Sequence, residues 1–92
     1  MQTTAASGPH VEALLKILEL ERSKGYEDVA VVGGLDRYLQ LHLKKAKDSG
    51  EPSPVSRIIS PGFSYAALTR EQRRQWADKT RRRLAEGPAT KE

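Results

Sequence analysis

Cysteine is absent from this chain, aromatic residues make up only 5% of it, and no apolar run approaches the roughly 20 residues a membrane-spanning helix needs. Each absence excludes something. Without cysteine there is no disulfide and no thiolate metal site, and a reducing compartment is the simpler setting. The first residues lack the charged flank and apolar core of a signal peptide. The expectation is a soluble, cytoplasmic protein with no membrane partner. The two histidines, His10 and His42, are far apart in sequence and lack a matched carboxylate spacing, so no metal site is expected. Neither Gly-x-x-x-x-Gly-Lys-Ser/Thr nor Gly-x-Gly-x-x-Gly occurs, and no serine sits in a nucleophile elbow. No catalytic constellation is visible. The chain by itself is expected to be no enzyme and to need no cofactor.

What is present is short and polar. The 92 residues are 37% hydrophobic and 30% charged. A chain of this size buries roughly 60–65% of its unfolded surface, so the core is modest and part of the chain is left unpacked or completed by something else. The net charge of +4 is unevenly placed. Residues 1–68 balance eight Lys/Arg against eight Asp/Glu, whereas residues 69–92 hold eight against four and carry the whole excess. One segment, rather than the whole chain, is ready to meet an anion.

Residues 1–8 read as a flexible tail. Ser7 or Gly8 can cap a helix with Pro9 in its first turn, and Val11, Leu14, Leu15 and Leu18 follow at helical spacing. Gly25 stands where a helix end favours a left-handed residue, predicting a helix over 9–24 with Tyr26 folding back on Leu20. Val29 to Val32 could be a short strand, since they are mostly β-branched and run into glycines. However, Val31, Val32, Leu35, Tyr38, Leu39, His42, Leu43 and Ala46 form one stripe at 100° per residue, and a lone strand would have no partner. The prediction is a helix over 28–47 with Asp28 as its N-cap. Glu27-Asp28 then reads as a helix start, where negative charge is favourable, rather than as an acid/base pair. The two helices make a hairpin over 9–47.

Residues 48–62 hold three of the five prolines, two glycines and four serines, a linker composition that predicts extended chain. Val55, Ile58 and Ile59 are placed to pin it across the hairpin. Residues 63–87 are expected to be an aromatic anchor, Phe63, Tyr65 and Leu68, followed by a basic helix over 70–86. Thr69 and Gln72 make a capping box, Trp76, Ala77, Thr80 and Leu84 share one face, and Gly87-Pro88 stops the helix. Residues 88–92 form a second tail. The fold class is therefore all-α: a small antiparallel bundle of three main helices, with room for a short fourth in the linker.

Two groups of residues are candidates for function. Arg70, Arg73, Arg74, Lys79, Arg81, Arg82 and Arg83 face only Glu71 and Asp78 on the last helix. Guanidinium groups grip phosphate bidentately, and counterion release drives such binding. The plainer alternative is a solvated helix surface whose arginine stems shield Trp76. Arg70, Arg74 and Arg81 share a face without Asn or Gln, so base-specific reading is not expected. The second group is Gly33, Gly34 and Tyr38. Each glycine inside a helix costs roughly 1 kcal/mol relative to alanine. Gly34 flanks the apolar stripe, where it would let another backbone approach; Gly33 points away and suggests a kink or an external contact. Trp76 reads first as a core anchor and second as a stacking platform.

The run Lys16-Ile17-Leu18-Glu19-Leu20-Glu21-Arg22, then Lys24-Gly25-Tyr26 and Val31-Val32-Gly33-Gly34-Leu35-Asp36-Arg37-Tyr38-Leu39, resembles the N-terminal helical region of bacterial RecG-type DNA helicases. A second patch, Tyr65-Ala66-Ala67-Leu68-Thr69-Arg70-Glu71-Gln72-Arg73-Arg74-Gln75-Trp76, is similar to a later part of that region and falls in the right order. Together they cover about residues 12–85. The resemblance implies an accessory domain of an enzyme that couples ATP hydrolysis to remodelling of stalled forks and Holliday junctions in DNA repair and recombination. Its implied partners are the wedge and motor domains of such a helicase and the phosphates of branched or duplex DNA. Wedge, phosphate loop and Mg²⁺ carboxylates are not in these residues, so no catalytic role carries over. A protein–protein docking module without DNA affinity is the competing expectation, with Gly33, Gly34 and Tyr38 facing the partner.

Overall fold

A computed structural model describes residues 9–86. The expected tails at 1–8 and 88–92, the Ser7 or Gly8 cap and the Gly87-Pro88 stop lie outside the described residues. Three α-helices, α1 (Pro9–Ser23), α2 (Val29–Ser49) and α3 (Arg70–Glu86), account for most of the described chain, and it contains no strand. The all-α reading holds.

Each helix begins and ends for a local reason. Where α1 stops, the Gly25 N–H donates to the Arg22 carbonyl and the Tyr26 N–H to the Glu21 carbonyl. That pair of bonds is a Schellman ending, and it requires the left-handed φ of +71° that Gly25 adopts without steric cost. Tyr26 is also left-handed, at φ 61°. Asp28 caps α2 as expected, its carboxylate accepting from the N–H groups of Ala30 at 3.0 Å and Val31 at 3.2 Å. The strand alternative for Val29 to Val32 is thereby excluded. Val29 instead opens α2 and is 86% exposed. At its far end α2 runs two residues beyond the expected limit, because Gly50, at φ 76°, closes it by donating to the Ala46 carbonyl. The α3 capping box forms in both directions, Thr69 N–H to Gln72 Oε1 at 2.9 Å and Gln72 N–H to Thr69 Oγ1 at 3.1 Å.

The apolar stripes meet in one core. Leu14 and Leu18 of α1 pack with Val32, Leu35 and Leu39 of α2 and with Ala77 of α3. Phe63, Leu68, Trp76 and Leu84 close over them. The linker is not the extended strap its composition predicts. It carries a single 3₁₀ turn, Ser56–Ile58, and it buries Val55 and Ile59 in the core, while a second such turn, Tyr65–Ala67, lies in the aromatic anchor and buries Tyr65. A reciprocal pair, Ser53 N–H to Ser56 Oγ at 2.8 Å and Ser56 N–H to Ser53 Oγ at 3.1 Å, folds the first turn. Serine hydroxyls compete locally for backbone groups. Here they build the turn that drives Val55 inward, and a composition count cannot register such a pattern.

Candidate functional site

The seven basic side chains of α3 divide by the direction they face. Arg70, Arg73 and Arg81 turn toward the end of α1. Arg70 Nε donates to the Gly25 carbonyl at 2.9 Å, Arg73 Nε to the Tyr26 carbonyl at 2.9 Å, and Arg81 Nη1 to the Leu18 carbonyl at 3.3 Å. The Gly25 and Tyr26 carbonyls belong to the turn beyond α1, outside any helical ladder, and the guanidinium groups give them donors; the Leu18 carbonyl lies within α1 and takes Arg81 as an added donor. Arg73 also donates to the Leu68 carbonyl, locking the approach to α3.

Carboxylates take up more of this charge. Asp78 receives Arg81 on one oxygen and Arg74, at 3.2 Å, on the other. Arg74 also pairs with Glu71. The two groups hold each other charged: the bond from Arg74 is the main reason the Glu71 carboxyl lies below its ordinary range, and the same bond raises Arg74. Arg70 lies 3.8 Å from Glu27. The Tyr26 hydroxyl, inside this group, accepts from Arg81 at 2.8 Å and donates to Asp78. Tyr26 therefore turns inward to α3 and not back on Leu20, which stays outside at 46% exposed.

Arg70, Arg74 and Arg81 thus have partners within the chain, with Arg70 and Arg74 still exposed. Arg70, Arg73 and Arg81 clamp the α1–α2 turn and the end of α1, while Arg74 pairs on the surface of α3 with Glu71 and Asp78. Periodicity places these arginines on one face and cannot say that the face meets a helix end. Lys79, Arg82 and Arg83 lie on the outer side of α3 and are exposed. Beside Lys79 runs an open groove of about 480 Å³, lined by Phe63, Leu68, Gln72, Gln75, Trp76 and Lys79. Trp76 stacks on Phe63 with ring centroids 5.3 Å apart and tilts against Tyr65 at 5.5 Å. It anchors α3, as the plainer reading has it, and offers only its outer edge to the groove.

The second candidate group separates too. Tyr38 is half-buried; its hydroxyl donates to the His10 carbonyl at 3.0 Å and its ring packs on His42. Its role lies within the α1–α2 contact. A Cβ built on Gly33 or Gly34 meets nothing within 4 Å. Among the described residues no backbone approaches within 4 Å of that position on Gly34, and Gly33 is equally open.

His42 is buried, with Nδ1 at 3.1 Å from the Ser53 hydroxyl. Burial, and then the nearby charges of His10 and Lys45, pull its pKa below the ordinary histidine value. The fold brings His10 against it, ring centroids 4.9 Å apart. No group of three or more His, Cys, Asp or Glu able to hold a metal ion lies among the described residues.

Two carboxylates were missed by sequence reasoning. Glu21 is fully buried, its Oε2 accepting the Tyr65 hydroxyl. The signal was its place seven residues after Leu14, on the apolar stripe of α1. Asp36 accepts from the N–H groups of Tyr65 at 2.8 Å and Ala66 at 3.4 Å. No described helix is long and apolar enough to cross a membrane. In comparisons with known proteins, no family model matches the chain, and no curated protein and no solved structure matches it either.

Proposed function

We propose that this chain is a non-catalytic accessory domain of a RecG-like DNA repair and recombination helicase, packing on the rest of that enzyme and touching branched-DNA phosphates. One observation carries the reading. The two stretches that resemble the helicase region are joined in space by a residue from one of them: Asp36, next to Gly33-Gly34-Leu35, holds the backbone of Tyr65 and Ala66 at the head of the second stretch. A likeness spread over two separated patches gains weight when those patches form one structural unit. DNA contact then falls to Lys79, Arg82 and Arg83 on the outer side of α3, while the inner arginines hold the frame.

The test is fluorescence anisotropy of the full chain with forked DNA at two salt concentrations. Three phosphate contacts lower affinity about 40-fold between about 50 and 200 mM salt. Replacing any one of the three cations by glutamine flattens that dependence. A second reading, a docking module with no DNA affinity, is favoured by the internal use of Arg70, Arg73, Arg74 and Arg81. It predicts no anisotropy change at either salt concentration.

A further inference from the structure

We infer that the outer side of the α1–α2 hairpin is a docking groove for an acidic amphipathic helix. The groove, of about 310 Å³, runs between Ile17 and Leu20 of α1 and Ala30, Val31, Gly34 and Leu35 of α2. All six are apolar or glycine, and none comes from α3 or the linker, which pack elsewhere on the hairpin. Leu41, 48% exposed, follows Gly34 by two helical turns and lengthens the apolar strip.

Gly34 has no explanation inside the molecule. Its φ is ordinary, a Cβ there would touch nothing, and alanine would favour the helix. Ala30 stands one turn before it. Together they form a low saddle in the groove wall, where the backbone of a second helix can come close. Apolar side chains at i, i+3, i+4 and i+7 on such a helix would meet Leu20, Val31 and Leu41.

Charge selects the occupant. Lys16, Arg37 and Lys45 flank the strip by helical spacing, Lys24 stands in the turn that closes its end, and all four are exposed. None is within ion-pair distance of a carboxylate among the described residues. Most nearby acids are committed elsewhere: Glu19 to Arg22, Asp48 to Lys44, Glu27 to Arg70, Asp28 to the α2 cap, Asp36 to Tyr65 and Glu21 to the Tyr65 hydroxyl. Glu12 has no such partner among the described residues and, one turn before Lys16, is the acid spaced to approach these cations. A second copy of the chain would set four cations against four, an arrangement that like-charge repulsion disfavours. An acidic helix meets all of them.

The inference rests on the groove and is separate from the DNA contact, which is read at α3. The test titrates the ¹⁵N-labelled full chain with a synthetic helical peptide of about 20 residues, leucine at i, i+3, i+4 and i+7 and glutamate at most other positions. A matched peptide carries lysine for glutamate. The expected result is amide shifts centred on Leu20, Ala30, Val31 and Gly34, and an affinity at least about tenfold higher for the acidic peptide. Gly34→Gln should weaken binding about tenfold while leaving thermal unfolding unchanged or raised, which separates a blocked groove from a damaged fold. Equal affinity for both peptides, shifts centred on α3, or no shift at about 1 mM acidic peptide would overturn the inference. So would a self-associated chain in sedimentation, or the same groove shifts with forked DNA. Loss of DNA binding with the peptide result intact would sink the DNA contact alone.

Discussion

The Tyr65 hydroxyl donates to Oε2 of Glu21, 44 residues away, inside the core. Both residues are fully buried, and Glu21 Oε1 has no hydrogen-bond partner among the described residues. Burial first, and then the bond and charge of Glu21, drive the tyrosine pKa far upward, against a smaller pull from Arg73. The phenol therefore stays protonated and remains a donor. This bond ties the turn before α3 to the end of α1, and it makes the carboxylate depend on one hydroxyl.

Tyr65→Phe should accordingly cost about 2–3 kcal/mol, because it leaves a buried carboxylate without its donor. Urea unfolding followed by circular dichroism measures this. Tyr65→Phe combined with Glu21→Met should recover much of the loss, since no buried polar group is then left unpaired. A double variant no better than the single one would show that shape, and not the bond, matters at this site.

The arginines of α3 should separate into two energetic classes. Arg73→Ala removes donors from two carbonyls and should cost about 1–3 kcal/mol. Arg82→Ala and Arg83→Ala should stay within about 0.5 kcal/mol of the parent. Arg74 pairs on the exposed surface, where such bridges contribute about 0–1 kcal/mol. Similar losses at Arg73 and Arg82 would contradict the clamp on the α1–α2 turn.

Alanine should have opposite effects at two kinds of glycine. Gly33→Ala and Gly34→Ala should each stabilise by about 0.5–1 kcal/mol, since both lie within α2 with open space at the Cβ. Gly25→Ala should destabilise by about 1 kcal/mol or more, because its φ is +71°. Melting temperatures of the three variants decide it.

Acid should weaken the fold through His42. Its folded pKa lies below the ordinary value, so between the two values the unfolded chain binds more protons. Stability is then fully present above about pH 6.5 and falls as pH drops through that value toward the folded pKa. His42→Gln should flatten this part of the profile in urea titrations between about pH 5 and pH 7.5. An unchanged slope would place the proton uptake on another group.

The amino-acid sequence alone determined the three helices, the Asp28 and Thr69 caps and the Gly25 ending, because these depend on neighbours within a turn or two. Asp28 reaches its N–H groups two and three residues on, Thr69 and Gln72 bond reciprocally, and Gly25, at the end of the apolar periodicity, takes a left-handed φ without a Cβ penalty. The apolar stripes follow from the same short-range periodicity.

Tertiary structure alone decided what the charged residues do. An arginine at a given helical angle looks the same in sequence whether it faces water or the carbonyls of a distant turn, and only the packing of α3 on α1 turned Arg70, Arg73 and Arg81 into a clamp. Glu21 sat on an apolar stripe, but its partner lies 44 residues away. The serine-rich linker folded inward because Val55 and Ile59 found apolar surface in the shared core beside α2. Long-range electrostatics and burial depend on which surfaces meet, and one-dimensional spacing does not carry that information.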